Sequence, residues 1–90
     1  MMKGIITVVG KDQVGIIAKV CTLLSDANVN ILDISQTILQ GYFNMMMIVN
    51  LEANTMSFDE LVDSLNELGK ALEVDIRLQH EQIFDSMHRI

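Results

Sequence analysis

The densest group of chemically useful residues in this 90-residue chain is Gly10-Lys11-Asp12-Gln13-Val14-Gly15, which joins an apolar run to a helical pattern. The first N–H groups of a helix have no intrahelical partner, and the positive end of the helix dipole adds to their pull on an anion. A carboxylate suits such a turn. The same residues also make an ordinary tight βα turn in which the glycines only meet backbone geometry. On spacing alone both readings stand.

Other residues of reactive type offer less. Cys21 sits at the margin of an apolar helix face with no base or orienting group marked beside it, so it reads as a small buried hydrophobe. As the one Cys of the chain it excludes an intrachain disulfide and a Cys-only metal cluster. His80 and His88 would stand roughly 12 Å apart along a continuous helix, too far to share one ion within a chain. They read as solvated surface histidines beside an ordinary Asp85–Arg89 pair at i,i+4. Met45-Met46-Met47 has the composition of a soft-metal or adaptable surface, but strand alternation turns Met46 away from its neighbours and favours core packing. No catalytic group, metal or cofactor is therefore expected.

The bulk properties narrow the partners. Hydrophobic residues make up 50% of the chain, and the mean hydropathy is +0.34. That is more apolar surface than one small core hides, so a partner surface is expected. The net charge of -6, with only 6 Lys+Arg and no two adjacent, disfavours nucleic acid and anionic membrane. No apolar run approaches the ~20 residues of a membrane span, and the amino-terminal residues lack a signal-peptide pattern. The expected location is cytoplasmic.

The elements that must position the turn follow from periodicity. Lys3 to Val9 is a short β-branched run, read as a buried strand. From Val14 to Asp26, Ile16, Ile17, Val20, Leu23, Leu24 and Ala27 recur on one helix face, with Lys19, Thr22, Ser25 and Asp26 outside. Asn28-Val29-Asn30 breaks that helix. Ile31 to Leu39 alternates, with Leu32, Ile34 and Ile38 opposite Asp33, Ser35 and Thr37. Gln40-Gly41-Tyr42 then turns a hairpin into Phe43–Leu51. Ser57 and Glu60 form a capping box for a second helix with Phe58, Leu61, Val62, Leu65 and Leu68 buried and a stop at Gly69. Leu72 to Gln79 alternates as a half-buried strand. Ile83, Phe84, Met87 and Ile90 return to helical spacing in a short amphipathic tail. No composition shift marks a domain boundary. The order βαββαβ predicts an α+β, ferredoxin-like sandwich: a four-stranded antiparallel sheet, two helices on one face, and a short C-terminal helix.

With that order in place, the sequence resembles an ACT domain. The resemblance rests on Asp12-Gln13-Val14-Gly15-Ile16-Ile17 at the helix start and Ala27-Asn28-Val29-Asn30-Ile31 entering the second strand. It extends from Met2 to about Gln79, and the whole chain is similar to the small stand-alone ACT proteins related to the glycine-cleavage-system transcriptional repressors. An ACT-like domain over residues 1–79 with a helical extension over 80–90 is implied. So is a regulatory module that binds a small molecule, commonly an amino acid, where two domains meet in a homodimer. The ligand-binding positions carried over are Asp12, Gln13, Val14, Gly15, Ile16 and Asn30. The backbone N–H groups of Val14, Gly15 and Ile16 would take a carboxylate, and Asp12 would suit an amino group. The His that serine-responsive members use in this turn falls on Gly10, which removes one side-chain donor.

Three functions then compete. The first is amino-acid sensing at a dimer interface, acting in trans on an unidentified protein target. The second is a ligand-free protein-interaction adaptor that uses the sheet edge, acidic surface and tail. The third, an enzyme of the acylphosphatase kind, needs an Arg in the first turn, where this chain has Lys11 and no Arg. The chain is therefore read as a non-enzyme.

Overall fold

The run Ile5-Ile6-Thr7-Val8-Val9 can satisfy its backbone and hide its side chains only inside a sheet. In the computed structural model, which describes residues 2–11 and 13–81, it does so as strand β1 (Lys3–Lys11). The chain continues as α1 (Ile16–Asp26), β2 (Asn30–Leu39), β3 (Tyr42–Asn50), α2 (Phe58–Leu72) and β4 (Val74–His80). The sheet runs β2-β3-β1-β4, every pair antiparallel. This is the expected ferredoxin-like βαββαβ sandwich. The expected tail helix lies outside the described residues from residue 82 onward.

One sheet face carries the core. Ile6 and Val8 of β1, Met45 and Met47 of β3, and Ile76 and Leu78 of β4 are buried beneath Ile16, Val20 and Leu24 of α1 and Leu61 and Leu65 of α2. Each fully buried side chain of this size contributes about 1.5–3 kcal/mol, so the two methionines serve as packing and not as ligands. Met46, on the other face, is 38% exposed.

The structure corrects the reading of both helices. α1 begins at Ile16, two residues later than expected, because Gly15 adopts a left-handed conformation (φ 94°) and serves as the N-cap. Ile17 is turned outward at 37% exposure. At the other end, α2 does not stop at Gly69 but runs to Leu72, with Glu73 as a left-handed cap whose N–H reaches the carbonyls of Gly69 and Lys70. Leu72, read as a strand residue, is the last buried residue of the helix. Gly69 has a different task. A Cβ on it would lie 2.8 Å from the Val74 carbonyl oxygen, so glycine lets α2 sit directly against β4. The capping box is as expected: Glu60 N–H donates to Ser57 Oγ at 3.1 Å, and Ser57 N–H donates to Glu60 Oε1 at 3.0 Å.

The β2–β3 hairpin closes through Gln40 and Gly41, both at positive φ, the pattern of a two-residue type I′ loop. β2 has a bulge between Ile31 and Asp33. Beyond it Ile34, Gln36 and Ile38 stand opposite the buried Met47, Met45 and Phe43. Yet Ile34 is 42% and Ile38 55% exposed, because the helices stop short of this edge strand. His80, expected in solvent, instead stacks on Phe58 at 4.1 Å between ring centroids.

Two outcomes are expected. Gly69→Ala gains roughly 0.5–1 kcal/mol of helix propensity but overpacks against backbone at a cost of about 1–3 kcal/mol, so urea unfolding should show a net loss. The second concerns Glu60, whose carboxyl is held below the ordinary carboxylate range by the Ser57 backbone N–H and then by its hydroxyl. A depressed folded-state value stabilises the fold above the ordinary range, and that contribution is lost as pH falls through the folded value. The stability advantage of wild type over Glu60→Gln should therefore shrink with acidification. An advantage that stays constant into acid would contradict the assignment.

Candidate functional site

The first half of the site is the turn from β1 to α1. With Gly15 as N-cap, the first intrahelical bond runs from Lys19 N–H to the Gly15 carbonyl at 3.0 Å. The N–H groups of Ile16, Ile17 and Ala18 therefore have no intrahelical partner, and no side chain caps them among the described residues. Ile16 is 1% exposed and pins the helix start to the core, whereas Val14 is fully exposed. A Cβ at Gly15 would find nothing within 4 Å, so this backbone is open to approach. The positive φ explains the glycine independently of any ligand.

Gln13 has a structural partner that no sequence pattern signals. Its side-chain amide donates to the carbonyl of Leu72, one of the orphan carbonyls at the end of α2. This tethers the turn to the far helix, beside a concavity lined by Lys11, Gln13, Ala71, Leu72 and Glu73. Asp12 lies outside the described residues.

The second half is Asn30, exposed at the first position of β2. It lines a concavity of about 380 Å³ with Cys21, Ser25, Asn28, Val29, Ile31 and Ala53. The lining offers a thiol, a hydroxyl and amides but no formal charge. Its shape is set by bonds that sequence reasoning missed. The α1 terminus closes with Asn28 at φ 59°, donating its N–H to Ser25 O at 3.0 Å, while Val29 N–H reaches Leu24 O at 2.9 Å. Asn28 Nδ2 donates to Ala53 O at 3.0 Å, and Thr55 donates to Ala27 O through its N–H at 2.9 Å and its hydroxyl at 3.2 Å. The segment before α2 is thereby fastened to the end of α1, and β2 starts from a fixed point. The free thiol of Cys21 is half-buried and packed against the core.

The two halves do not meet within one chain. Asn30 pairs with Asn50, which pairs with Lys3, so Asn30 belongs to the sheet end where β1 begins. The turn leaves the end where Lys11 pairs with Tyr42. Eight residue steps of strand separate these ends, roughly 27 Å. Among the described residues no group of three or more His, Cys, Asp or Glu side chains is placed to hold a metal ion. No helix there is long and apolar enough to cross a membrane.

A ferredoxin-like sandwich with an open, uncapped helix start and a separate polar concavity at the second strand defines the class as an ACT fold. A family model described as an ACT domain matches residues 4–79. The chain is 60% identical over 90 residues to a UPF0237 protein of Bifidobacterium longum, covering 100% of both chains. Among solved structures it is similar to an ACT domain protein from Streptococcus pneumoniae, with 43% identity, a TM-score of 0.81, and 92% and 93% of the two chains covered. It is also similar to a putative glycine cleavage system transcriptional repressor at 25% identity and a TM-score of 0.73, over 88% of this chain and 45% of that one. The chain belongs to the ACT-domain family and, within it, to the small UPF0237 proteins. ACT domains are small-molecule-binding regulatory modules.

Gln13→Ala should untether the β1–α1 turn at a cost of about 0.5–1.5 kcal/mol, the net worth of one hydrogen bond. Chemical denaturation measures this directly, and an unchanged midpoint would mean that the Leu72 carbonyl is equally well served by water.

Proposed function

We propose that the chain senses a small amino acid at the junction of two identical subunits and passes the response to a separate protein. The observation that carries this reading is the separation of the two half-sites to opposite ends of the sheet. If two copies join antiparallel along β2, the start of one β2 lies beside the end of the other. Asn30 of one subunit then falls on the same end as the β1–α1 turn of the second, three strand spacings or roughly 14 Å from that copy's β1. The exposed apolar residues of β2, Leu32, Ile34, Ile38 and Leu39, support that edge as the seam.

In this arrangement the ligand carboxylate sits on the backbone N–H groups from Val14 to Ile16, extending into the uncapped first turn of α1. Asp12 faces the amino group. Gln13 contributes backbone, since its side chain is engaged with Leu72. Asn30 from the second copy closes the site, and the uncharged lining around it favours a neutral ligand side chain.

A thermal-shift screen of the twenty amino acids, with nucleotides as control, identifies the ligand, because binding to the folded state raises its midpoint. Calorimetric titration of the best hit should then show Asn30→Ala weaker by about 1–3 kcal/mol, the range for leaving a buried polar group unpaired, with folding little changed. Light scattering should report a dimer. A monomer at all micromolar concentrations rejects the shared site. Equal affinity in both proteins rejects the role of Asn30, and no binding at millimolar amino acid favours the ligand-free adaptor.

A further inference from the structure

The free edge of β2 carries a pattern that fits its own reverse. Nine of its residues pair with β3, from Asn30 to Leu39, with Leu32 left out at the bulge. Ser35 is the fifth of the nine. Ile31, Ile34, Gln36 and Ile38 share the helix side, since their neighbours in β3 are the buried Val49, Met47, Met45 and Phe43. Asn30, Asp33, Ser35, Thr37 and Leu39 share the outer side.

Two-fold symmetry keeps the helices of both copies on one face of a joint antiparallel sheet, so only residues of like facing meet. An axis through Ser35 pairs all nine positions. Each Asp33 then lies opposite a Thr37 hydroxyl and away from the other Asp33, each Ile34 lies opposite Gln36, and each Ile31 lies opposite Ile38. Moved to Gln36, the axis leaves Asn30 and Ile31 beyond the ladder and sets Asp33 against Leu39. Moved to Ile34, it leaves Ile38 and Leu39 beyond the ladder, with their backbone groups unpaired.

Ile38 then reaches the site. The helix-side row from the second copy's β1–α1 turn to Asn30 of the first runs through Phe43 and Ile38 of the second copy to Ile31 of the first. Phe43 is 3% exposed but Ile38 55%, and Ile31 borders the concavity of about 380 Å³ beside Asn30. The open floor between the half-sites is aliphatic, and the uncharged lining beyond it has nothing to pair with a charged side chain.

We propose that the two copies join with Ser35 on the symmetry axis, so that Ile38 of one and Ile31 of the other floor the shared site and select an amino acid with an apolar side chain. This rests on the amino-acid reading and adds to it the register of the seam and the class of ligand.

Disulfide formation reports the register. In a Cys21→Ser background, Ser35→Cys should form an intermolecular disulfide on mild oxidation. Gln36→Cys should stay reduced, because one residue off the axis its two Cα atoms lie roughly 8 Å apart, beyond the ~7 Å that a disulfide bridges. A dimer that cross-links at Gln36→Cys, or at neither position, overturns the proposal and leaves the amino-acid reading standing. A monomer overturns both. Thermal shift tests the ligand class with no cysteine variant. L-Valine and L-leucine at millimolar concentration should raise the wild-type midpoint more than L-serine and L-aspartate, and Ile38→Thr should lose most of that difference. A larger shift from serine or aspartate overturns the apolar class, and an undiminished difference in Ile38→Thr overturns the role of Ile38. No shift from any amino acid overturns this proposal together with the reading beneath it.

Discussion

Everything in this molecule is hung on β1. It is hydrogen-bonded on both sides, to β3 along Lys3–Lys11 and to β4 along Gly4–Gly10, and it buries Ile6 and Val8 completely on the helix side. A strand paired on both edges cannot slip, because a one-residue shift would send its whole apolar set to the wrong face. Its length therefore becomes a fixed ruler. The α1 turn must emerge at one end, and Asn30, held through Asn50, must begin at the other. That β1 runs the full length of the sheet is what keeps the half-sites apart in one chain and makes a second copy part of the proposed function.

Where apolar spacing alone decides structure, the amino-acid sequence was enough. The alternation of β3 and β4, the helix stripes through Val20–Leu24 and Leu61–Leu65, and the Ser57–Glu60 box were all legible. What escaped it were features set by contacts between distant segments. Gly69 reads as a helix stop because glycine is a common terminator, yet it is there for the approach of α2 to the Val74 carbonyl. Val14 continues the apolar pattern of α1, but the left-handed Gly15 starts the helix after it. His80 carries no periodic signal for its stack on Phe58. The proposed site takes the turn and Asn30 from the family resemblance, as no spacing or periodicity marks them as a pair. The bond from Gln13 to Leu72 was not legible, since the partners lie 59 positions apart.

The two sheet edges treat association differently. An edge strand presents unpaired N–H and C=O groups, and proteins usually blunt it with charge. β4 follows this practice, placing Asp75 and Arg77 on its exposed positions. β2 does so only at Asp33. Its large exposed apolar residues, Leu32, Ile34, Ile38 and Leu39, flank the exposed Gln36 and leave a mostly apolar ladder edge. A 90-residue domain gains proportionately more from burying such an edge than a larger one would, because its own core covers less of its surface. In the proposed function β2 is the edge along which a second copy, brought in antiparallel, would both complete the ladder and carry its α1 turn toward Asn30. The same geometry that stabilises a small sheet would then assemble its ligand site.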